Sequence, residues 1–142
     1  MDKKDDKRQR LIQAMLAQPD GADAAAFAEH HLLPWRTLAV HLSPLIGDSG
    51  FGALYGRTGR VLAARFNWLT MGPAAQTPEA LFQILQQDLC RAEAPLAFEA
   101  NAALLVTFTS LLSDLIGEAL TTRLLDAAWT GALTQKNAGE QK

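Results

Sequence analysis

After a lead of ten residues rich in charge, Leu11, Ile12, Met15 and Leu16 recur at helical spacing and stop at Pro19-Asp20-Gly21, which predicts a short amphipathic helix. A second short helix is predicted over 22–31, with Ala26 and Phe27 facing inward. Pro34 then marks a new start, because proline is tolerated in a first turn and disfavoured inside a helix. The third helix buries Trp35, Leu38, Ala39 and Leu42, and Ser43-Pro44 interrupts or kinks it before Gly47. Asp48 has the chemistry of an N-cap for the next helix.

That helix, over 49–69, carries Phe51, Leu54, Tyr55, Leu62 and Phe66 on its core face. Beside them Gly52, Gly56, Gly59 and Ala63 fall on a neighbouring strip, with Arg57 and Arg60 on the solvated side. A glycine inside a helix costs about 1 kcal/mol against alanine, so the strip implies a close approach by another backbone. It reads either as tight packing within the chain or as a groove for a partner helix. Residues 70–77 read as a loop, and Thr77-Pro78-Glu79 as cap, first-turn proline and first-turn acid of a helix that buries Leu81, Ile84, Leu85 and Leu89.

From Leu96 to Trp129 the only breaker is Gly117, and Leu104, Leu105, Phe108, Leu111, Leu112, Leu115, Ile116, Ala119 and Leu120 cover more than half of the helix circumference. A rod that apolar is predicted to be continuous and surrounded by other helices, with Thr107, Ser110, Asp114, Glu118 and Thr121 facing water. No stretch alternates like a strand. The fold expected is all-α: a single compact domain of five to six helices packed around a long central C-terminal helix. Its parts are a charged lead (1–10), a helical domain (11–130) and a flexible tail (131–142). Leu45-Ile46-Gly47-Asp48 and Leu115-Ile116-Gly117-Glu118 are alike, but their surroundings do not align, and no repeat is inferred from them.

The composition, 49% hydrophobic and 20% charged over 142 residues, is that of a folding globular chain. A net charge of −2 and a pI near 5.9 give no global positive field for nucleic acid or an anionic membrane surface. Cys90 is the sole cysteine, which excludes an intrachain disulfide and fits a reducing, cytoplasmic setting. The start mixes both charge signs and does not read as a signal peptide. The apolar stretch 100–125 is broken by Asn101, Ser110, Asp114, Glu118 and Arg123, so no transmembrane segment is expected.

No catalytic, metal or cofactor constellation emerges. His30 and His31 are adjacent and point about 100° apart on a helix, which cannot make an i, i+4 metal pair. Phosphotransfer through His41 would need a regular exposed face where Leu42-Ser43-Pro44 ends the helix. Gly47, Gly50 and Gly52 follow a helix rather than a strand and lack the lysine and hydroxyl of a phosphate loop. A helix-turn-helix is suggested by Arg57, Arg60 and Arg65, but the reading end offers Ser49-Gly50-Phe51-Gly52-Ala53-Leu54 instead of polar side chains. Arg65 and Arg123 stand beside apolar faces, so each must be paired or reach out to water. Arg123 meets Asp126, or one of the two arginines pairs across helices with Asp48 or Glu118.

The segments Pro44-Leu45-Ile46-Gly47 through Phe66-Asn67-Trp68-Leu69, and Leu115-Ile116-Gly117-Glu118-Ala119-Leu120-Thr121 through Trp129, resemble a group of small uncharacterised all-helical proteobacterial-type proteins. That resemblance implies a bacterial cytoplasmic protein working beside signalling proteins such as two-component regulators, and transfers no catalytic residue. The function expected is a non-catalytic regulatory or adaptor module binding a partner protein, or a second copy as a homodimer, through a helical surface. Trp35, Trp68 and Trp129 are candidate contact aromatics. One alternative is a small-molecule sensor with an apolar pocket lined by Phe51, Tyr55 and Phe108. Another is a DNA-binding regulator using a degenerate helix-turn-helix.

Overall fold

A computed structural model describes residues 10–13, 24–70 and 77–140, and among these every regular element is helical. The helices are α1 (Ala24–Leu62), α2 (Pro78–Arg91), α3 (Ala94–Ile116) and α4 (Glu118–Glu140), with residues 10–13 also helical. The all-helical expectation therefore holds. The predicted stop at Pro19-Asp20-Gly21 and the loop at Met71-Gly72-Pro73 lie outside the described residues.

Two breaks differ from the sequence reading. Pro34 does not begin a helix: α1 runs through both Pro34 and Pro44, and departs from helical geometry only at Gly47. Pro34 is itself buried beside the fully buried Leu32, Trp35, Leu38 and Leu42. Packing of that stripe outweighs the backbone hydrogen bond that a proline removes. The second correction concerns the rod from Leu96 to Trp129. It is not continuous, because Gly117 adopts φ 95, ψ 150 and divides it into α3 and α4. Helix α1 packs against α2, α3 and α4 in turn, and α3 likewise touches α1, α2 and α4. Thr121, predicted to face water, is fully buried, and its hydroxyl donates to the carbonyl of Gly117 at 2.8 Å. Beyond Thr130 the backbone stays helical to Glu140.

The interruptions at Gly47 and Gly117, the two corners of the molecule, are the same structure twice. Gly47 has φ 75, ψ 166 and Gly117 φ 95, ψ 150, a region that residues with a Cβ essentially do not enter. Ser43 Oγ donates to Asp48 Oδ1 at 2.7 Å across the first break, and Ser113 Oγ to Glu118 Oε1 at 2.8 Å across the second. The helices leading into the breaks begin at Ala24 and Ala94, a separation of 70 residues that recurs between His31 and Asn101.

Burial follows the same offset. Trp35 and Leu105, Leu38 and Phe108, Leu42 and Leu112, Phe51 and Thr121, and Tyr55 and Leu125 are buried as pairs. Ahead of the first halves, Leu11-Ile12-Gln13 matches Leu81-Phe82-Gln83, with Ile12 and Phe82 buried and both glutamines exposed. The surroundings of the two tetrapeptides thus align in burial and backbone, although not in residue identity. The similarity set aside as coincidental marks two equivalent halves.

The cap predicted at the start of α2 is present: Thr77 Oγ1 accepts from the backbone N–H of Ala80 at 3.3 Å, with Pro78 in the first turn. The stretch Pro95–Ile116 is long and apolar enough to cross a bilayer by length and composition alone. In the fold its face of Leu104, Leu105, Phe108 and Leu112 is buried in the core that α1 closes.

Candidate functional site

Helices α1 and α3 cross at a buried polar contact that no periodicity announces. The Trp35 indole N–H donates to Asn101 Oδ1 at 2.8 Å. Because an indole can only donate, this bond fixes which way the amide of Asn101 points. Its Nδ2 then donates to the carbonyl of His31 at 3.0 Å and lies 3.1 Å from His31 Nδ1. Nδ1 therefore accepts, and the ring proton sits on Nε2. All three side chains are fully buried, and the His31 ring meets Phe98 edge-on. Trp129 closes the same region by donating its indole N–H to the carbonyl of Pro34 at 3.1 Å. Trp35 and Trp129 are thus core anchors, and Trp68, half-buried, is the tryptophan that reaches the surface.

The aromatic trio proposed as a pocket lining fills its own space. Phe51 and Phe108 lie 5.1 Å apart between ring centroids, Phe51 and Tyr55 6.4 Å, and all three are buried. Burial raises the pKa of the Tyr55 hydroxyl above its ordinary value, and the nearby carboxylate of Asp88 adds to the effect. Asp88 is itself buried and holds Thr70, beyond the end of α1, accepting from its N–H at 2.7 Å and its hydroxyl at 2.8 Å. One cavity of about 350 Å³ opens beside it, lined by Trp68, Asp88, Arg91, Ala92, Glu93 and Leu96. A second of about 350 Å³ lies near the first corner, between Arg36, Val40, Asp48 and Glu79.

The structure does not bring the remaining predicted residues together as one site. Gly52 and Gly59 are buried within the chain, Gly56 is half-buried, and Ala63 is exposed in a turn beyond α1. Arg65 is exposed, donates to Glu99 at 3.2 Å and lies 4.9 Å above the Phe66 ring, so its ion-pair partner is neither Asp48 nor Glu118. Arg123 is exposed. Asp48 and Glu118 each accept from the serine of their own corner, and Glu118 also accepts from the Thr122 hydroxyl at 3.2 Å. Among the described residues no three His, Cys, Asp or Glu side chains are grouped to hold a metal ion.

What residue-by-residue reading missed is the pair of corners. Each places a leucine in solvent next to a buried one: Leu45 is 53% exposed and Leu115 64%, while Leu42 and Leu112 are fully buried. The available signal was the repeated tetrapeptide with a serine five positions before each acid. No protein-family model matches the chain, and no curated protein or solved structure is similar to it.

Proposed function

We propose that the chain is a non-catalytic regulatory or adaptor module that binds another protein through its helical surface. The observation that carries this reading is the exposure of Leu45 and Leu115 at equivalent places in the two halves. An isolated exposed leucine is ordinary; the same leucine displayed twice on matching backbone supports a contact role. The resemblance noted above suggests a bacterial cytoplasmic setting beside signalling proteins. Site-specific photocrosslinking in the native host tests the reading. A crosslinker at position 45 or 115 should trap the same protein, whereas one at the equally exposed Val61 should not. Identical patterns at all three positions would end it.

A second reading, a small-molecule sensor, is favoured by the cavity beside Trp68, in place of the space around Phe51, Tyr55 and Phe108. Half-buried Trp68 and exposed Leu96 give it an apolar wall, with Asp88, Arg91 and Glu93 supplying charge. Quenching of tryptophan fluorescence by small amphiphiles, lost in Trp68→Ala, distinguishes this reading from the first.

A further inference from the structure

From the two halves we infer that the chain is a tandem duplication of a unit of about 70 residues, and that its two corners are paired docking sites for basic, apolar protein segments, two per chain. The inference rests on the protein-binding reading and adds the occupant's chemistry and the stoichiometry.

The halves share few side chains outside the corners. Trp35 corresponds in position to Leu105, Phe51 to Thr121 and Gly59 to Trp129. At the corners, in contrast, Leu42-Ser43, Leu45-Ile46-Gly47 and an acid recur as Leu112-Ser113, Leu115-Ile116-Gly117 and an acid. Nearly every member of that set has a task inside the fold. Leu42 and Leu112 are core residues, and Ile46 and Ile116 pack against the core from half-buried positions. The glycines hold a backbone conformation closed to other residues, and each serine binds the acid across the break. Leu45 and Leu115 are the exception, since more than half of each is in water. A polar side chain there would cost the fold little, so contact with something outside the chain accounts for keeping leucine twice.

Charge around the corners selects the occupant. Between Arg36 and Arg57 the only Asp, Glu, Lys or Arg is Asp48. At the second corner Asp114 and Glu118 flank Leu115, with Arg123 exposed one turn beyond Glu118, while Glu93 and Glu99 lie at the far end of α3, where Glu99 pairs with Arg65. Arg36 lines the cavity at the first corner, but its guanidinium is engaged by Glu79 at 3.2 Å. Each corner is therefore an apolar tip bordered by carboxylate, which fits a segment carrying Leu or Ile beside Lys or Arg.

The test uses the full chain with methyl-labelled leucines, titrated with a synthetic helical leucine–lysine peptide and, separately, with its leucine–glutamate counterpart. The methyls of Leu45 and Leu115 should shift together, with affinities within about threefold of each other and saturation at two lysine peptides per chain. Leu45→Ser and Leu115→Ser should each halve the stoichiometry while leaving the rest of the spectrum in place. Equal binding of the glutamate peptide, or shifts that avoid both corners, would overturn the inference. Binding at one corner only would overturn the paired sites and leave the protein-binding reading standing, which the crosslinking judges independently. Concentration-dependent dimerisation abolished by Leu45→Ser would instead identify a second copy as occupant and overturn the basic partner.

Discussion

The two halves of the molecule share a backbone and differ in what fills it. Around the first corner the large buried side chains are Trp35, Phe51 and Tyr55; their counterparts in the second half are Leu105, Thr121 and Leu125. The second half answers with Phe108 where the first has Leu38, and with Trp129 where the first has Gly59. Large side chains thus come from different positions in the two halves, and interiors pack densely enough that both sets must fit one space. Phe82, at the head of the second half, packs against Trp35 and Phe51 of the first half, with centroids 6.5 and 5.7 Å away. The halves therefore form one core jointly. Equivalent frames tolerate different contents as long as the combined volume is conserved.

The strongest way to break that comparison is to remove the bulk that only one half supplies. Trp129→Ala should lower stability by about 3–5 kcal/mol in denaturant titration, because it empties a fully buried site and leaves the Pro34 carbonyl without its indole donor. A loss below about 1 kcal/mol would show that the second half does not compensate for Gly59. Next come the corners. Gly47→Ala and Gly117→Ala should each cost about 1–3 kcal/mol from backbone strain alone, since a Cβ at either position meets nothing within 4 Å. Near-equal drops in melting temperature are expected, and a drop at only one would separate the corners energetically.

A pH experiment sharpens the contrast between Tyr55 and its counterpart Leu125. The folded state binds the phenol proton more tightly than the unfolded chain does, because burial and Asp88 both disfavour the phenolate. Stability should be full below about pH 10 and fall above it by up to about 1.4 kcal/mol per pH unit. Since Tyr55 is the sole tyrosine, its ionisation can be followed by ultraviolet absorbance, and Tyr55→Phe should remove the slope. The smallest effect belongs to the serines. Ser113→Ala should cost about 1 kcal/mol and Ser43→Ala about half of that or less, because the first bond lies in solvent and the second is partly buried. The reverse order in thermal melts would refute the assignment of the second corner as the better protected one.

The helix class, the α2 cap and most core residues could be read from spacing because they depend on local periodicity and local hydrogen bonding. Thr77-Pro78-Glu79 is the clearest example, a cap whose whole mechanism lies within four residues. Where Pro34 and Gly117 were misjudged, local propensity competed with packing or with a rare backbone state. At Pro34 the core stripe won, and at Gly117 the glycine stopped a rod that its apolar surroundings would have continued. The contact of Trp35, Asn101 and His31 was invisible because nothing along the chain says that a polar residue in an apolar helix will meet an indole 66 positions away. The corners were visible only when two segments were compared in burial as well as in letters.

The distance along the chain between those partners has a consequence for synthesis. Trp35 leaves the ribosome 66 residues ahead of the acceptor on Asn101, and the Pro34 carbonyl 95 residues ahead of Trp129. Contacts that close such long loops form late and slowly. While the second half is being made, the nascent first half carries an aromatic face with no finished counterpart to cover it. Its protection in that interval must come from transient burial within itself or from whatever waits at the exit tunnel.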